Sequence, residues 1–370
     1  MATDRATDRA TDRITATIHD VAALAGVSTS SVSNVLNGRT DKLSAQTWER
    51  VEDAIRTLSF SPNRVARQLK TGHTPMLGLL VPSTANPMYG QLALNIEAAA
   101  QQRFNYRLLL GNTHRDKQQE ARMFDDLLSF GVRAVIVISS LDDERHLEKA
   151  VARGLAVVSY DRGAGSDSDR HSRVDHVSPD NYQAGYLAAD HLIEHGHRRL
   201  SFLLPHGKTV SRGEKTAGFL ERVSSAGARY SAKVVEGQVS QAFGDSELAD
   251  LGFAMASQVA ALRPRPTGIV AVNDMLAIGL MSGLTRLGLR VPEDVSVVGM
   301  DGLPVAAFVN PGLTSVAMPL TEMANAMVER AIERSVDPNL PPSDFLFQPV
   351  LIARQSVAAP ARVRKTASST

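Results

Sequence analysis

The stretch TIHDVAALAGVSTSSVSNVLNG, residues 17–38, reads as two short helices joined by a tight turn. Thr17 followed by Asp20 is a helix-start pattern: a hydroxyl that accepts from the first free amides, and a carboxylate near the positive helix end. Ile18, Val21 and Ala22 then fall on one face. Ala22 is small enough to let two helices cross closely, Gly26 permits the positive φ of a tight turn, and Val32 packs the second helix on the first. Ser28 caps that second helix, which runs to about Asn37 and turns Thr29, Ser30, Ser33 and Asn34 outward. Short polar side chains on such a face reach base edges and phosphates, so Thr17, Ser28, Thr29, Ser30, Ser33, Asn34 and Asn37 are the expected DNA contacts of this head. A third helix, capped at Ser44, supplies Val51, Ala54, Ile55 and Leu58 to close a small core, and leaves Trp48 partly exposed. An ordinary three-helix bundle is the plain alternative. The polar face of 28–37 and the basic linker behind it favour a helix-turn-helix.

Before this head, Ala-Thr-Asp-Arg repeats three times from Ala2 to Arg13, a polar run that buries no surface and is expected to be a disordered leader, as is the tail 359–370. After the head, SPNRVARQLK (61–70) reads as a short helix with Ser61 as cap and Pro62 in its first turn. So short a helix is marginal in water and needs a surface to form on. Arg64, Arg67 and Lys70 make it basic, which suits phosphates, and Leu69 is apolar in polar surroundings. From Met76 onward the texture changes. Near-continuous apolar runs such as MLGLLV (76–81), RAVIVI (133–138) and GIVAV (268–272) alternate with amphipathic stretches, the mark of βαβ units whose strands are buried on both faces. So many units imply two doubly wound sheets rather than one.

Bulk properties narrow the function. The chain has 370 residues, 43% hydrophobic and 21% charged, with a net charge of +1, so any affinity for nucleic acid must come from local clustering. Residues 17–74 hold seven Lys/Arg against five Asp/Glu, a weak excess. No cysteine is present, which excludes disulfides and thiolate metal sites. No apolar run reaches the ~18 residues that span a bilayer, and the opening residues carry no signal-peptide core, so a cytoplasmic protein without membrane contact is expected. His191, His195 and His197 cluster near one helix end and could bind a metal, but histidines on a solvated helix are the commoner case and the reading preferred. Asp167, Asp169, Asp175, His171 and His176 read as a polar loop without ligand-like spacing. No phosphate loop, dinucleotide fingerprint or nucleophile elbow occurs. The expectation is therefore no metal, no cofactor and no catalytic constellation.

Ligands of open α/β sheets bind beyond the carboxyl ends of the strands. MLGLLV is followed by Pro82 to Tyr89, VIVI by Ser139 and Ser140, AVVSY by Asp161 and Arg162, IVAV by Asn273 and Asp274, and VSVVGM by Asp301. Each group has a plainer reading as a helix cap, turn or structural ion pair. Their convergence at strand ends points to one pocket for a small polar ligand, sugar-like or nucleobase-like, with an aromatic face to stack on.

The head, the hinge stretch SPNRVARQLKTG and these strand ends together resemble the LacI (lactose-repressor/galactose-repressor) family from the head to about Ala358. The resemblance implies an effector-controlled DNA-binding regulator, most often a repressor, acting as a homodimer or possibly a tetramer on a near-palindromic operator. It implies that paired hinge helices enter the minor groove, with Leu69 wedged into a base step and Ala66 and Lys70 beside it, so Asn63, Arg64, Ala66, Leu69 and Lys70 join the expected DNA contacts. NPMY, YDRG, NDMLAIG and GMDGLP look like the family's ligand-side elements. The expected effector contacts are Ser83, Met88, Tyr89, Ser139, Asp161, Arg162, Arg212, Lys215, Asn273, Asp301 and Phe308. Two departures stand out: Asn34 where the family often has Arg or His, and Lys215 where it usually has a ligand-binding Arg. The stretch 237–253 looks longer than usual.

The expected fold is α/β: an all-α helix-turn-helix head (17–60), a hinge and linker (61–75), and a periplasmic-binding-protein-like core (76–358) of two doubly wound parallel sheets. The chain should cross three times between lobe one, 76–160 plus 319–335, and lobe two, 161–318 plus 336–357. A periplasmic sugar-binding protein would suit the core alone, but the head argues against it. An enzyme on the same fold lacks catalytic groups.

Overall fold

The computed structural model describes residues 16–36, 38–39, 42–60, 75–141, 143–161, 173–239 and 247–361. The chain divides into two units between residues 73 and 74.

The first unit holds helices α1 (Ile18–Ala25), α2 (Thr29–Leu36) and α3 (Ala45–Thr57). Thr17 and Asp20 form a reciprocal capping box: the Thr17 N–H donates to Asp20 at 2.8 Å, and the Asp20 N–H donates to the Thr17 hydroxyl at 3.4 Å. The Thr17 backbone N–H, and then its hydroxyl, hold the Asp20 carboxyl below the ordinary carboxylate range. Gly26 ends α1 at φ +63°, which hands the chain straight to α2. Val21, Ala22, Ala25, Val32, Val35, Val51 and Ala54 form a closed core, with Trp48, Ile55 and Leu58 half-buried against it.

The second unit contains two six-stranded sheets. The first has the order β11-β5-β4-β3-β1-β2 and is parallel throughout, from strands β1 (Met76–Val81), β2 (Arg107–Asn112), β3 (Ala134–Ile138), β4 (Ala156–Tyr160), β5 (Asp175–Pro179) and β11 (Asp344–Phe347). The second has the order β12-β10-β9-β8-β6-β7, from β6 (Arg199–Pro205), β7 (Ser231–Gly237), β8 (Gly268–Ala271), β9 (Ser296–Asp301), β10 (Thr314–Ala317) and β12 (Val350–Ile352). Only β12 runs antiparallel to its neighbour. The helices between them are α4 (Pro87–Phe104), α5 (Lys117–Ser129), α6 (Arg145–Ala152), α7 (Asn181–Glu194), α8 (Val210–Ser225), α9 (Leu248–Ala261), α10 (Asp274–Arg286) and α11 (Leu320–Val336).

The chain crosses between sheets three times; the middle crossing falls where the sequence suggested, and the other two do not. Residues 175–179 and 344–347, expected in lobe two, are strands of the first sheet. The crossings fall near residues 180, 318 and 348. The reason lies in β5, DHVSP, which is fully buried yet carries Asp, His and Ser and so gives no apolar signal. Asp175 accepts from Arg330 Nε at 2.6 Å and Arg334 NH1 at 2.9 Å, both on α11. The Ser343 N–H also donates to Asp175, at 2.9 Å. His176 lies between Glu144 at 3.0 Å and Asp344 at 2.9 Å. What read as a polar loop at Asp175 and His176 is a strand whose buried polar side chains find partners on α11, α6's leading turn and β11.

In the second sheet's lobe, α7 and α8 cross at the closest approach backbones allow. A Cβ at Gly185 on α7 would sit 1.9 Å from the Lys215 carbonyl, and one at Gly218 on α8 would sit 1.9 Å from the Tyr182 carbonyl. This contact sets where the first turns of α7 and α8 lie.

Gly218→Ala should lower stability by about 1–3 kcal/mol, because the two helices must separate. Gly213→Ala, in the same helix with open space around it, should be neutral or stabilising by ~0.5–1 kcal/mol. Thermal unfolding of the two variants checks the opposite signs. Asp175→Ala leaves two buried guanidinium groups without their carboxylate and should cost about 3–5 kcal/mol in urea unfolding.

Candidate functional site

In the head, α2 buries Val32 and Val35 and leaves the opposite side to solvent. Ser28 and Ser30 are exposed, and Thr29, Ser33 and Asn34 are half-exposed. The Ser28 hydroxyl accepts from the Ser31 N–H at 3.2 Å, so it caps the helix as expected. Thr17 is exposed, with its polar atoms in the capping box. Asn37, Asn63, Arg64, Ala66, Leu69 and Lys70 lie outside the described residues.

In the second unit a cleft of about 510 Å³, counted to its open mouth, lies at the carboxyl ends of both sheets' strands. From the first sheet's side come Met88 and Tyr89, presented by the start of α4, whose cap Asn86 accepts from the Met88 N–H at 3.1 Å. Tyr160 and Asp161 follow from the end of β4. From the second sheet's side come Arg212 and Lys215 on the first turns of α8, Asn273 at the start of α10, and Asp301 at the end of β9. Met88, Tyr89, Asp161, Arg212, Lys215, Asn273 and Asp301 were all expected from sequence, and the fold brings them to one cleft.

Other expected contacts lie elsewhere. Ser83 is buried and its hydroxyl accepts from the Ala85 N–H at 3.2 Å, a turn bond beside the cleft rather than in its wall. Ser139 points away, donating to the buried Glu120 at 3.2 Å, and Ser140, at φ +55°, instead turns its hydroxyl to the cleft residues Asp161 and Ser211. Phe308 is 86% exposed and outside the cleft, because the 3₁₀ turn Pro304–Ala307 carries it outward. Arg162 is outside the described residues, as are 240–246 in the long stretch before α9.

Sequence reasoning missed Arg115, Asn181 and Ser211 in the cleft wall. Arg115 follows β2, an edge strand with an ordinary half-exposed pattern. It is itself buried, and donates to the Tyr89 hydroxyl at 2.8 Å and to the Ser139 carbonyl. Asn181 begins α7 and donates from Nδ2 to Asp161 at 2.6 Å. Asp161 also accepts from the Ser140 hydroxyl at 2.8 Å, and Ser140 meets the Ser211 hydroxyl at 2.9 Å. The Val210 N–H donates to the Ser140 carbonyl at 3.0 Å. A buried polar seam, Asn181–Asp161–Ser140–Ser211, thus stitches the two lobes at one side of the cleft. The only signal for these residues was their place just after or before a strand end.

The backbone here is unusual. Ser140, Asp161 and Asp301 have φ values of +55°, +75° and +114°. Non-glycine residues in this region are costly and cluster where function fixes them. Asp301 is almost fully buried. Burial pushes its carboxyl up to about 8, with Lys215 opposing and Asp274 and Asp161 pushing the same way. Asp274, behind it, is raised to about 6 by burial against the opposing Ser315 hydrogen bond. Its two oxygens accept from Ser315 at 2.6 Å and from the Leu303 N–H at 2.7 Å, which fixes the turn after Asp301. Among the described residues no cluster of three His, Asp or Glu is arranged to hold a metal.

Comparison with known proteins matches this arrangement. Residues 17–63 match the model of bacterial regulatory proteins of the lacI family, and residues 189–357 match a periplasmic binding protein-like domain. The chain is 31% identical over 344 residues to the HTH-type transcriptional repressor PurR of Mannheimia succiniciproducens, covering 92% of this chain and 98% of that protein. It is 33% identical over 345 residues to PurR of Actinobacillus pleuropneumoniae serotype 3, with the same shares covered. Among solved structures it resembles the lac repressor dimer bound to operator and the anti-inducer ONPF, at 25% identity and a TM-score of 0.77, covering 93% of this chain and 100% of that one. It also resembles the transcriptional regulator CelR in complex with cellobiose, at 28% identity and a TM-score of 0.65, covering 92% and 99%. The chain belongs to the LacI family of bacterial regulatory proteins and is an effector-controlled transcriptional repressor.

Proposed function

We propose that this regulator is a cytoplasmic homodimer that reads a near-palindromic operator through α2 and the hinge, and senses a small polar effector in the interlobe cleft without chemically changing it. The observation that carries the effector reading is the convergence of Asp161, Arg212, Lys215, Asn273 and Asp301 with Met88 and Tyr89 around one cleft. Hydroxyl- or amide-rich ligands satisfy such a mixed set of donors and acceptors, and the aromatic and thioether side chains supply an apolar face. One of the relatives named above is described in complex with cellobiose, so a sugar is within reach of the family.

Control follows from thermodynamics. A ligand held by both lobes favours one interlobe angle over another, and shifts the population of DNA-competent dimers by its differential affinity. In the head, Ser30, Thr29, Ser33 and Asn34 contribute base and phosphate contacts from the free side of α2. Asn37, together with Asn63, Arg64, Ala66, Leu69 and Lys70 of the hinge, completes the DNA surface, with Leu69 as the minor-groove wedge. The head, 17–60, holds four Lys/Arg against five Asp/Glu, while the hinge adds Arg64, Arg67 and Lys70, which puts much of the affinity on that hinge. Arg162 remains a proposed effector contact.

Selection of bound fragments from random duplex DNA by the full-length protein, at physiological salt, tests the regulatory reading: a near-palindromic motif is expected, and a folded dimer that enriches none contradicts it. Leu69→Ala should weaken operator binding about tenfold or more, a change of ~1.4 kcal/mol or above, while effector affinity stays the same. Equal operator affinities in fluorescence anisotropy would remove the wedge. The Asp301 carboxyl sets a pH dependence. Its folded value lies above its unfolded one, so its contribution to stability is full below about pH 4 and declines as pH rises toward about 8. Asp301→Asn should flatten the part of that decline between about pH 6 and 8, where Asp274 has already titrated. Urea unfolding at a series of pH values measures it.

A further inference from the structure

Asn181 is 1% exposed, and its side chain lies in the cleft wall. Its Nδ2 donates to Asp161 Oδ1 at 2.6 Å. Among the described residues no donor reaches its Oδ1, which is buried. The orientation of the amide is not free. Asp161 accepts from Ser140 at its other oxygen, and the Asn181 group facing it is the NH₂. Turning the amide over would set two oxygens against each other. Among the described residues the fold thus buries a carbonyl acceptor, aims it by a short hydrogen bond, and pairs it with no donor. A buried acceptor left unpaired costs about 1–3 kcal/mol. Such a cost persists in a folded protein where a ligand removes it.

This changes the roles read from sequence. Asp161 was expected to meet the effector. Both its oxygens are engaged within the protein, by Asn181 and Ser140. Around it, Arg212 and Lys215 present donors only, and Asn273 has its oxygen committed to the Leu276 N–H at 2.9 Å. Among the described residues the cleft acceptors left to a ligand include the Asp301 carboxyl and Asn181 Oδ1, and the latter is fixed in place by its neighbours.

Building on the effector reading of the cleft, we infer that Asn181 is a specificity-determining residue whose Oδ1 accepts a hydrogen bond from an O–H or N–H of the effector. The effector class is narrowed accordingly: a polyol, a sugar or a nucleobase that brings a donor to the α7 side of the cleft, and not a ligand whose only polar groups are acceptors. Asn181 also borders an outer cavity with Tyr182, Glu214 and Leu346, so a water from that side is the competing occupant of the same acceptor.

The test is calorimetric titration of the full-length protein with D-ribose, cellobiose and guanine, for the wild type, Asn181→Leu and Asp301→Asn. The expected result is that at least one probe binds, that Asp301→Asn alters its affinity, and that Asn181→Leu weakens it roughly tenfold or more. Removing the probe's donors one at a time, as deoxy, O-methyl or N-methyl analogues, should reveal one donor whose loss weakens the wild type by a similar factor and leaves Asn181→Leu unaffected. Should the leucine variant fail to fold, Asn181→Ala removes the same oxygen and takes its place. If a probe binds in an Asp301-dependent way but every donor removal costs wild type and variant equally, Asn181 accepts from water and the inference falls while the cleft reading stands. If no probe binds at millimolar concentration, or binding ignores Asp301→Asn, the sugar-or-nucleobase reading of the cleft falls and this inference with it.

Discussion

Polar groups buried where the strands of two sheets end must be paired, and that requirement shapes the second unit. Parallel strands bring their carboxyl ends, and the residues just beyond them, to one side of each sheet. In this chain those residues include Asp, Arg, Asn and Ser beside the apolar Val272 and Met318. The Asn181–Asp161–Ser140–Ser211 seam satisfies part of the set by bonds from one lobe to the other. The rest faces the cleft. On the proposed reading of the cleft, interlobe packing and ligand recognition draw on the same side chains, and that sharing is how occupancy would alter the angle between the lobes.

The supporting structure keeps these groups in place. Gly185 and Gly218 let α7 and α8 cross with their backbones in contact, and this places Asn181 near the start of one helix and Arg212 and Lys215 near the start of the other. Asp274, bonded to Ser315 and Leu303, holds the turn in which Asp301 takes a left-handed backbone. Arg115 holds the Tyr89 hydroxyl. The positive φ values of Ser140, Asp161 and Asp301 are local costs that the surrounding hydrogen bonds and packing offset.

Much of this was legible from sequence because two independent signals agreed. In the head, capping residues, the glycine turn and the apolar spacing all named the same three helices. In the core, apolar runs such as AVIVI and AVVSY located strands, and the polar residues after them located most of the cleft. The failures have a common cause. Strand β5, DHVSP, is buried through ion pairs with α11 and hydrogen bonds to distant residues, so composition made it a loop and displaced the lobe boundaries. Ser139 was chosen over Ser140 because the side a residue faces at a strand end depends on register, which an apolar run does not specify. Arg115 and Asn181 matter through partners far along the chain, and nothing in their immediate neighbours records those partners.

The claim at the centre of this account is that ligand in the cleft and operator DNA on the head are thermodynamically coupled. Coupling of this kind is reciprocal, so it is measured most directly by titrating the effector into the free protein and into the protein saturated with its operator. The account predicts two different dissociation constants, whose ratio equals the factor by which saturating effector changes operator affinity. Identical effector affinities in the two states would contradict it.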